Sequence, residues 1–493
     1  MKKNLFPAVL ILFVLLLAVD NVRAQSSENV VTVDFAKPVR GVKSMSGFLH
    51  GIDANKPPDK LILPLQPRQW RVSDTDFEVY RRIDKTGARV QLVLSDFWGY
   101  TGLSTDRPPP YRDFPQFEEF VRKMARTYGS KNIIWDVWNE PEDGKLPYWK
   151  GTFKQFCETY RRAYQVLRKE LGPNAIIGGP SFSRYDKSLL TQFLDYCKAS
   201  GCEVNFLSWH ELDELNITKI SAHLDEARAL FVNNPAYASL KIREIQINEI
   251  IGGQGQYSPG VILGYFYYLE QGNADGACKA CWENSSGKSN CNDGALDGLI
   301  RQDTLLPTAA WWTYKIYADG VESRVASATT NPLVIALGSS GSSEKNRAQI
   351  LIGYFKESVE VSAKTDVSVN LKNLKSLPFI AAGRRVKVKI QKIRNTGEQA
   401  AKGLDFVSEK DFQLSSNLLN LTLNKVSVDE VYLLSVTNAE GAGGRAAELD
   451  YNHRRRRRET VIFSAIKSKT EFAGKFSDVQ TIRQKTRKQF VML

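Results

Sequence analysis

Residues 133–144 read IIWDVWNEPEDG. An apolar run of strand character ends in Asn139 and Glu140, and Pro141 opens a turn. A carboxylate at such an exit is either a solvated strand end or a reactive group held at the rim of a fold. The pattern recurs in IQINE, which ends at Asn248 and Glu249. Other apolar runs also end in groups with chemical uses. They are His50; Arg71 and Asp74; Asp96, Phe97 and Trp98; Trp138; Trp209, His210 and Glu211; and Trp282 and Glu283. Singly, each has an ordinary explanation: a core histidine, an indole capping a core, a solvated acid. As a set they suit cleavage of a glycosidic bond, which needs one protonated and one ionised carboxyl flanking that bond. Indole faces stack on sugar rings, and Arg, His and Asn hold hydroxyls. Glu142, Glu211 and Glu283 read as solvated neighbours of the same rim. Other chemistries are less well served. No Ser or Cys nucleophile motif and no two-histidine metal motif is found, and the chain has only 4 His. No metal or organic cofactor is implied.

These residues meet only if the runs that carry them are neighbouring strands. Eight such runs lie between residues 42 and 320: VKSMSGFLHGI, RQWRVSD, RVQLVLSD, NIIWDVWNE, AIIGGPSF, VNFLSWHE, KIREIQINE and GACKACWEN. Helical stretches separate most of them. One has Phe153, Phe156, Cys157, Tyr160, Tyr164 and Leu167 on one face, with Thr152 as N-cap and Gly172-Pro173 as stop. Another has Leu190, Phe193, Leu194 and Cys197 in register. Eight alternating units predict an α/β fold, a (β/α)8 TIM barrel over 42–320, with active groups at the carboxyl ends of its strands. A doubly wound sheet is the alternative, but the glycine-rich phosphate turn it would carry is missing. Over 321–438 the rhythm changes to short β-branched runs: PLVIALG, RAQILIGYF, VSVNLKN, RRVKVKI, NLLNLTLN and EVYLLSV. These predict a C-terminal all-β sandwich. NVVTVDF, within 25–41, is an N-terminal strand that can join the β domain.

The chain ends differ in composition. Lys2 and Lys3 precede an apolar run, and small residues follow near Ala24, which reads as a signal peptide over 1–24 and a secreted or periplasmic protein. An uncleaved N-terminal membrane anchor is the alternative. Export permits disulfides among the 6 cysteines: Cys157, Cys197, Cys202, Cys278, Cys281 and Cys291. The close spacing of the last three suggests a local bridge from Cys291 to Cys278 or Cys281. Zinc is the competing reading of Cys-x-x-Cys, but no fourth ligand is suitably spaced. Asn216, Asn284 and Asn420 lie in glycosylation sequons. The formal charge of +13 is concentrated at the end, since residues 439–493 hold thirteen Lys/Arg against six Asp/Glu, a net +7. That tail, with its arginine run at 454–458, reads as solvated and disordered, able to meet anionic surfaces. The folded part gives little support for nucleic-acid binding.

WDVWNEPEDGKLPYWKGTFKQFCETYRRAYQVL, followed by IIGGPSF, SWHEL, IQINE and PTAAWWTYKIYADG, resembles glycoside hydrolase family 39, part of a clan of (β/α)8-barrel retaining glycosidases. The resemblance covers roughly 42–320, with a β-rich domain following. It implies a double displacement with Glu249 as nucleophile and Glu140 as general acid/base. It implies that Asn139 holds the sugar 2-hydroxyl, and that His50, Arg71, Trp98, His210 and Trp282 line the substrate site. Family members include β-xylosidases and α-L-iduronidases, so an exo-acting, β-xylosidase-like enzyme on an oligosaccharide, polysaccharide or other glycoside is expected. Asn248 stands where relatives often have Thr, and the cysteines after the eighth strand are unusual. A non-catalytic carbohydrate-binding or surface attachment protein on the same scaffold is the alternative.

Overall fold

A computed structural model describes residues 29–101, 104–105, 107–129, 133–142, 148–344, 346–357, 364–380 and 385–439. The expected signal peptide and the basic tail after Ala439 lie outside the described residues. The chain begins with β1 (Asn29–Pro38). Eight parallel strands then close a barrel in chain order: β2 (Gly47–Leu49), β3 (Gln69–Val72), β4 (Arg89–Val93), β7 (Ile133–Asp136), β8 (Ile176–Phe182), β9 (Phe206–Glu211), β10 (Glu244–Ile250) and β11 (Gly276–Lys279). Seven fall within one of the eight predicted runs, and β10 runs one residue, Ile250, past the end of KIREIQINE. β5 (Tyr100–Thr101) and β6 (Ser104–Thr105) form a separate short ladder after β4.

The helix Phe153–Leu171 forms as its sequence demands. Thr152 and Gln155 make a reciprocal capping box, and Gly172 takes a left-handed φ of 78° at the stop. Its buried face carries Phe156, Cys157, Tyr160, Ala163, Tyr164 and Leu167.

Strand alternation puts Val90, Leu92, Ile245 and Ile247 in the apolar layer against the helices. The opposite residues fill the barrel, and many are polar. Arg89 pairs with Glu244, at 2.6 Å from Nη2 to Oε2, and also donates to Gln69 at 3.4 Å. Gln69 donates to Gln91 at 2.6 Å, and Gln91 to Asp136 at 3.0 Å. Barrels of this kind are usually packed with branched aliphatic layers. Here a hydrogen-bonded column runs through the interior instead, satisfying the buried Gln69 and Gln91 amides through one another and their neighbours. Gly276 makes room for it, since a Cβ there would sit 2.3 Å from Gln246 Oε1.

A nine-stranded sheet follows in the order β17-β16-β19-β14-β13-β12-β1-β15-β18. Its strands are β12 (Arg324–Thr329), β13 (Val334–Ser339), β14 (Ala348–Tyr354), β15 (Lys364–Lys372), β16 (Arg385–Ile393), β17 (Asp405–Gln413), β18 (Leu418–Ser427) and β19 (Val431–Asn438), together with β1. β1 runs antiparallel to β12 and parallel to β15. β12 and β17 were not foreseen. RVASAT and DFVSEKDFQ are too polar to read as strands, and β17 is a largely exposed edge.

Alternation again divides the faces. Ile335, Leu337, Leu351 and Leu433 belong to the barrel's core. Val334, Ala336, Ile350, Ile352, Leu434 and Val436 belong to a second core, shared with Val369 of β15 and Val388 of β16. The sheet's two ends therefore fold over one face, so the β sandwich is a single curled sheet. The helix Pro259–Gln271 is wedged between barrel and sheet and is buried almost all round. A buried Arg324–Glu270 ion pair at 2.9 Å ties β12 to it.

Candidate active site

Glu140 lies just beyond β7. Its N–H donates to the Ser181 carbonyl at 2.9 Å, and its backbone is left-handed, with φ 45°. That conformation is costly for a residue with a side chain and tends to persist where function requires it. Glu140 Oε1 lies 3.0 Å from His210 Nδ1. Burial pushes the Glu140 carboxyl up to about 7, against the opposing influence of Arg71.

Glu249 reaches the same place through a β-bulge. Trp209 and His210 are consecutive in β9, yet they oppose Ile247 and Glu249 in β10, so Asn248 is the extra residue. Asn248 takes the inward position and donates to Ser181 Oγ at 2.7 Å and Asp136 Oδ2 at 3.0 Å. Glu249, one residue on, arrives at the rim.

Arg71 organises the centre. It donates to Glu249 Oε1 at 2.6 Å, to Asn139 Oδ1 at 2.8 Å and to Asp136 Oδ2 at 3.0 Å. Asp136 is wholly buried and also accepts from Gln91, Asn248 and Ser181. A carboxylate oxygen of Glu140, one of Glu249 and a nitrogen of His210 all lie within 4.8 Å of one another. Such a trio could present ligand atoms to an ion, but the Arg71 guanidinium already places a cation beside Glu249. The set is better matched to proton transfer beside a fixed positive charge. Burial drives the fully enclosed His210 imidazole down to about 4, so it is neutral near pH 7. Its Nε2 is 3.6 Å from Glu249 Oε1.

His50, Asn139, Arg71, His210, Glu140 and Glu249 are thus gathered at one end of the barrel. His50 Nε2 is 3.5 Å from Asp96 Oδ2. Burial would raise the Asp96 carboxyl, but His50 and Arg71 outweigh it and hold it below its usual value. Trp282 is half-buried. One face lies against Gly253, and Nε1 donates to the Ile251 carbonyl at 2.9 Å, on the chain just past Glu249.

Trp98 requires correction. It is 1% exposed, packs edge-on against Phe117 and Phe120, and carries the Arg107 guanidinium 4.9 Å from its ring centre. The short helix Leu94–Trp98 curls the chain after β4 and turns this indole into the core, leaving no face for a sugar. Glu142 and Glu211 are not solvated either. Glu142 accepts from the Ser183 N–H, its Oε2 has no partner among the described residues, and burial pushes its carboxyl up to about 7, with Glu140 adding to the effect. Glu211 accepts from Trp209 Nε1 and His223 Nδ1, each at 2.8 Å. Glu283 is exposed, as expected.

Asp136 and Tyr148 are additions that the sequence reading missed. Burial first, then the charges of Glu140, Glu249 and Asp96, push the Tyr148 hydroxyl up to about 12. Asp136 had a signal: it is the polar residue inside the apolar run IIWDVW. No comparable pattern marks Tyr148.

Of the two bridges considered, Cys281–Cys291 forms. Cys278 is a buried free thiol facing Gln69. With one cysteine of the Cys-x-x-Cys pair bridged and the other inside the barrel, the zinc reading fails.

Residues 104–245 match the family model for glycosyl hydrolases family 39. A beta-xylosidase of Caldicellulosiruptor saccharolyticus is 26% identical over 126 residues, covering 25% of this chain and 25% of that protein. A beta-xylosidase of Geobacillus stearothermophilus is 27% identical over 111 residues, covering 20% and 21%. The matched stretch thus spans a quarter or less of the length of these curated relatives. Among solved structures, N2152 from Neocallimastix frontalis aligns with TM-score 0.68 at 24% identity, covering 84% of this chain and 100% of that one. A family 39 beta-xylosidase from Caulobacter crescentus aligns with TM-score 0.55 at 14% identity, covering 83% and 99%. At these identities the structural likeness concerns the fold.

Proposed function

We propose that the chain is a glycosidase of glycoside hydrolase family 39, secreted or periplasmic, retaining, exo-acting and β-xylosidase-like, with Glu249 as nucleophile and Glu140 as general acid/base; the family match over residues 104–245 and the beta-xylosidase relatives support this reading. The observation that carries the reading is the unequal treatment of two adjacent carboxyls. Glu140 is buried and keeps its proton up to about pH 7, while Glu249 is ion-paired to Arg71 at 2.6 Å. Their oxygens approach within 4.8 Å, near the short separation of about 5–5.5 Å that distinguishes retention from inversion.

In the first step a Glu249 carboxylate oxygen bonds to the anomeric carbon. The bond to the leaving oxygen breaks, and that oxygen takes the Glu140 proton. In the second step Glu140 removes a proton from water, the water oxygen bonds to the anomeric carbon, and Glu249 departs as carboxylate. Neutral His210 keeps Glu140 aimed without competing for its proton. Arg71 fixes Glu249 and Asn139 relative to one another, and Asn139 is placed to hold the sugar 2-hydroxyl. Trp282 offers an indole for stacking. The substrate is a β-linked glycoside, with xylose the first sugar to try.

A panel of aryl glycosides tests the proposal. Turnover of an aryl β-xyloside with retained configuration is expected. Glu249→Ala should abolish it, while Glu140→Ala should spare substrates with good leaving groups. Failure of the wild-type protein on the whole panel, or inverted product, would overturn the assignment.

A further inference from the structure

The loop after β11 carries Trp282 and is closed by the Cys281–Cys291 bridge. Asn290 Oδ1 accepts the Trp282 N–H at 2.7 Å, and the Asn290 N–H donates to the Trp282 carbonyl at 2.9 Å. Disulfide and indole are therefore parts of one small clasp. At its other side the clasp is gripped by the β domain. In the turn between β16 and β17, Glu398 spends both carboxylate oxygens on one residue inside the disulfide loop, accepting from Ser285 N–H at 2.7 Å and from Ser285 Oγ at 2.8 Å.

That turn is itself anchored to the barrel. Arg301 Nη1 donates to the Glu398 carbonyl at 3.3 Å and to Gln399 Oε1 at 3.1 Å. Ala400 bridges Thr308, and the Ala401 N–H donates to the Pro307 carbonyl at 2.8 Å. Trp312 Nε1, on the last barrel helix (Ala309–Ala318), donates to the Ala401 carbonyl at 2.9 Å. Glu398 is thus presented from a firm base. A carboxylate fixed in this way and bonded in bidentate fashion to a mobile type of element, a loop at a barrel mouth, restrains that element more than a single surface contact would.

We propose that Glu398 is a positioning residue for the substrate site, holding the Cys281–Cys291 loop through Ser285 and so fixing the Trp282 indole against which the sugar packs. The β domain then contributes to substrate grip without touching substrate. This rests on the glycosidase reading of the barrel mouth. A residue that orders a binding wall acts on ground-state and transition-state binding alike, so its loss raises KM and leaves kcat nearly unchanged.

The test uses the full chain with Glu398→Ala and, as a milder variant that removes only the hydroxyl contact, Ser285→Ala. Aryl-glycoside kinetics are measured together with amide hydrogen exchange over residues 280–291. The expected result for Glu398→Ala is a rise in KM of roughly three- to tenfold with kcat within about twofold. Exchange should quicken at both Ser285 and Trp282. Ser285→Ala should move the same readouts less, and Glu398→Gln, which keeps an acceptor for the Ser285 N–H, should fall between Glu398→Ala and wild type. Faster exchange confined to Ser285, or an unchanged KM, overturns the proposal. If the wild type cleaves no glycoside, the glycosidase reading fails on its own, and exchange at Trp282 still decides whether the strap holds the indole.

Discussion

Arg71 shows how much one side chain can organise. Its planar fork reaches Asp136, Asn139 and Glu249 at once, a geometry that a single ammonium cannot reproduce. Arg71→Lys keeps the charge, yet it should lower kcat/KM by about a hundredfold or more, judged against the loss of a preorganised donor elsewhere. Steady-state kinetics alongside circular dichroism would separate this from misfolding. Glu140 and Glu142 make the second residue-scale prediction. Activity should fall as pH rises through about 7, where Glu140 loses the proton it donates. For stability the sign follows from the raised folded-state values. Both carboxyls contribute most below their unfolded value near 4.5, and that contribution is lost as pH rises through about 7. His210 works the other way. Its lowered value means that stability is gained between about 4 and 6.5, which partly offsets the two glutamates. Comparing Glu142→Gln with wild type cancels the His210 contribution. The variant should lose less melting temperature between pH 5 and 7.5, and equal slopes would contradict the buried, protonated Glu142.

At the scale of elements, two indoles that look alike in the sequence have different duties. Trp98 ends a short helix and is packed among Phe117, Phe120 and Arg107. Trp98→Ala should cost about 3–5 kcal/mol, the range for emptying a buried aromatic site, with KM little changed in whatever protein remains folded. Trp282 is half-buried on a clasped loop. Trp282→Ala should raise KM with a much smaller loss of stability. Thermal melts and kinetics on the pair provide the check, and the opposite pattern would reverse the roles. The difference was not legible in the sequence, because both indoles follow a strand by a few residues. What separates them is the direction the chain takes afterwards, inward along a helix or outward into a disulfide loop. The bulge in β10 is a similar case. IQINE reads as simple alternation, and only pairing against β9 reveals Asn248 as the inserted residue that lets Glu249 reach the rim.

For the whole molecule, the barrel and the sheet are not separable layers. The helix Pro259–Gln271 has apolar groups on nearly every side, and part of its cover is Ile335, Leu337, Leu351 and Leu433 from the sheet. A chain ended after Gly320 would expose that face, so it should be recovered insoluble or melt well below the full protein. A soluble truncate with wild-type melting would show that the barrel closes its core unaided. The buried Arg324–Glu270 pair adds to the coupling, since removing either partner strands a charge. One cooperative transition for barrel and sheet is the corresponding calorimetric expectation.

The eight barrel strands were legible because each is a short apolar run bounded by turn residues and separated from the next by a helical period. Hydrophobic periodicity is a local property that survives in the chain itself. Glu140 and Glu249 were legible for a related reason: strand ends are local, and a barrel brings every strand end to one mouth. The polar column from Glu244 to Asp136 was not, because its residues are buried polar groups that only their partners on other strands make tolerable. Nor were the raised carboxyls of Glu140 and Glu142, which follow from burial by segments distant in sequence. Residue type and spacing determined which groups were available and the architecture that gathers them. Long-range packing decided which carboxyl keeps its proton, which indole stays open, and which turn of the β domain meets the Cys281–Cys291 loop, because desolvation and register depend on neighbours that no local stretch of sequence contains.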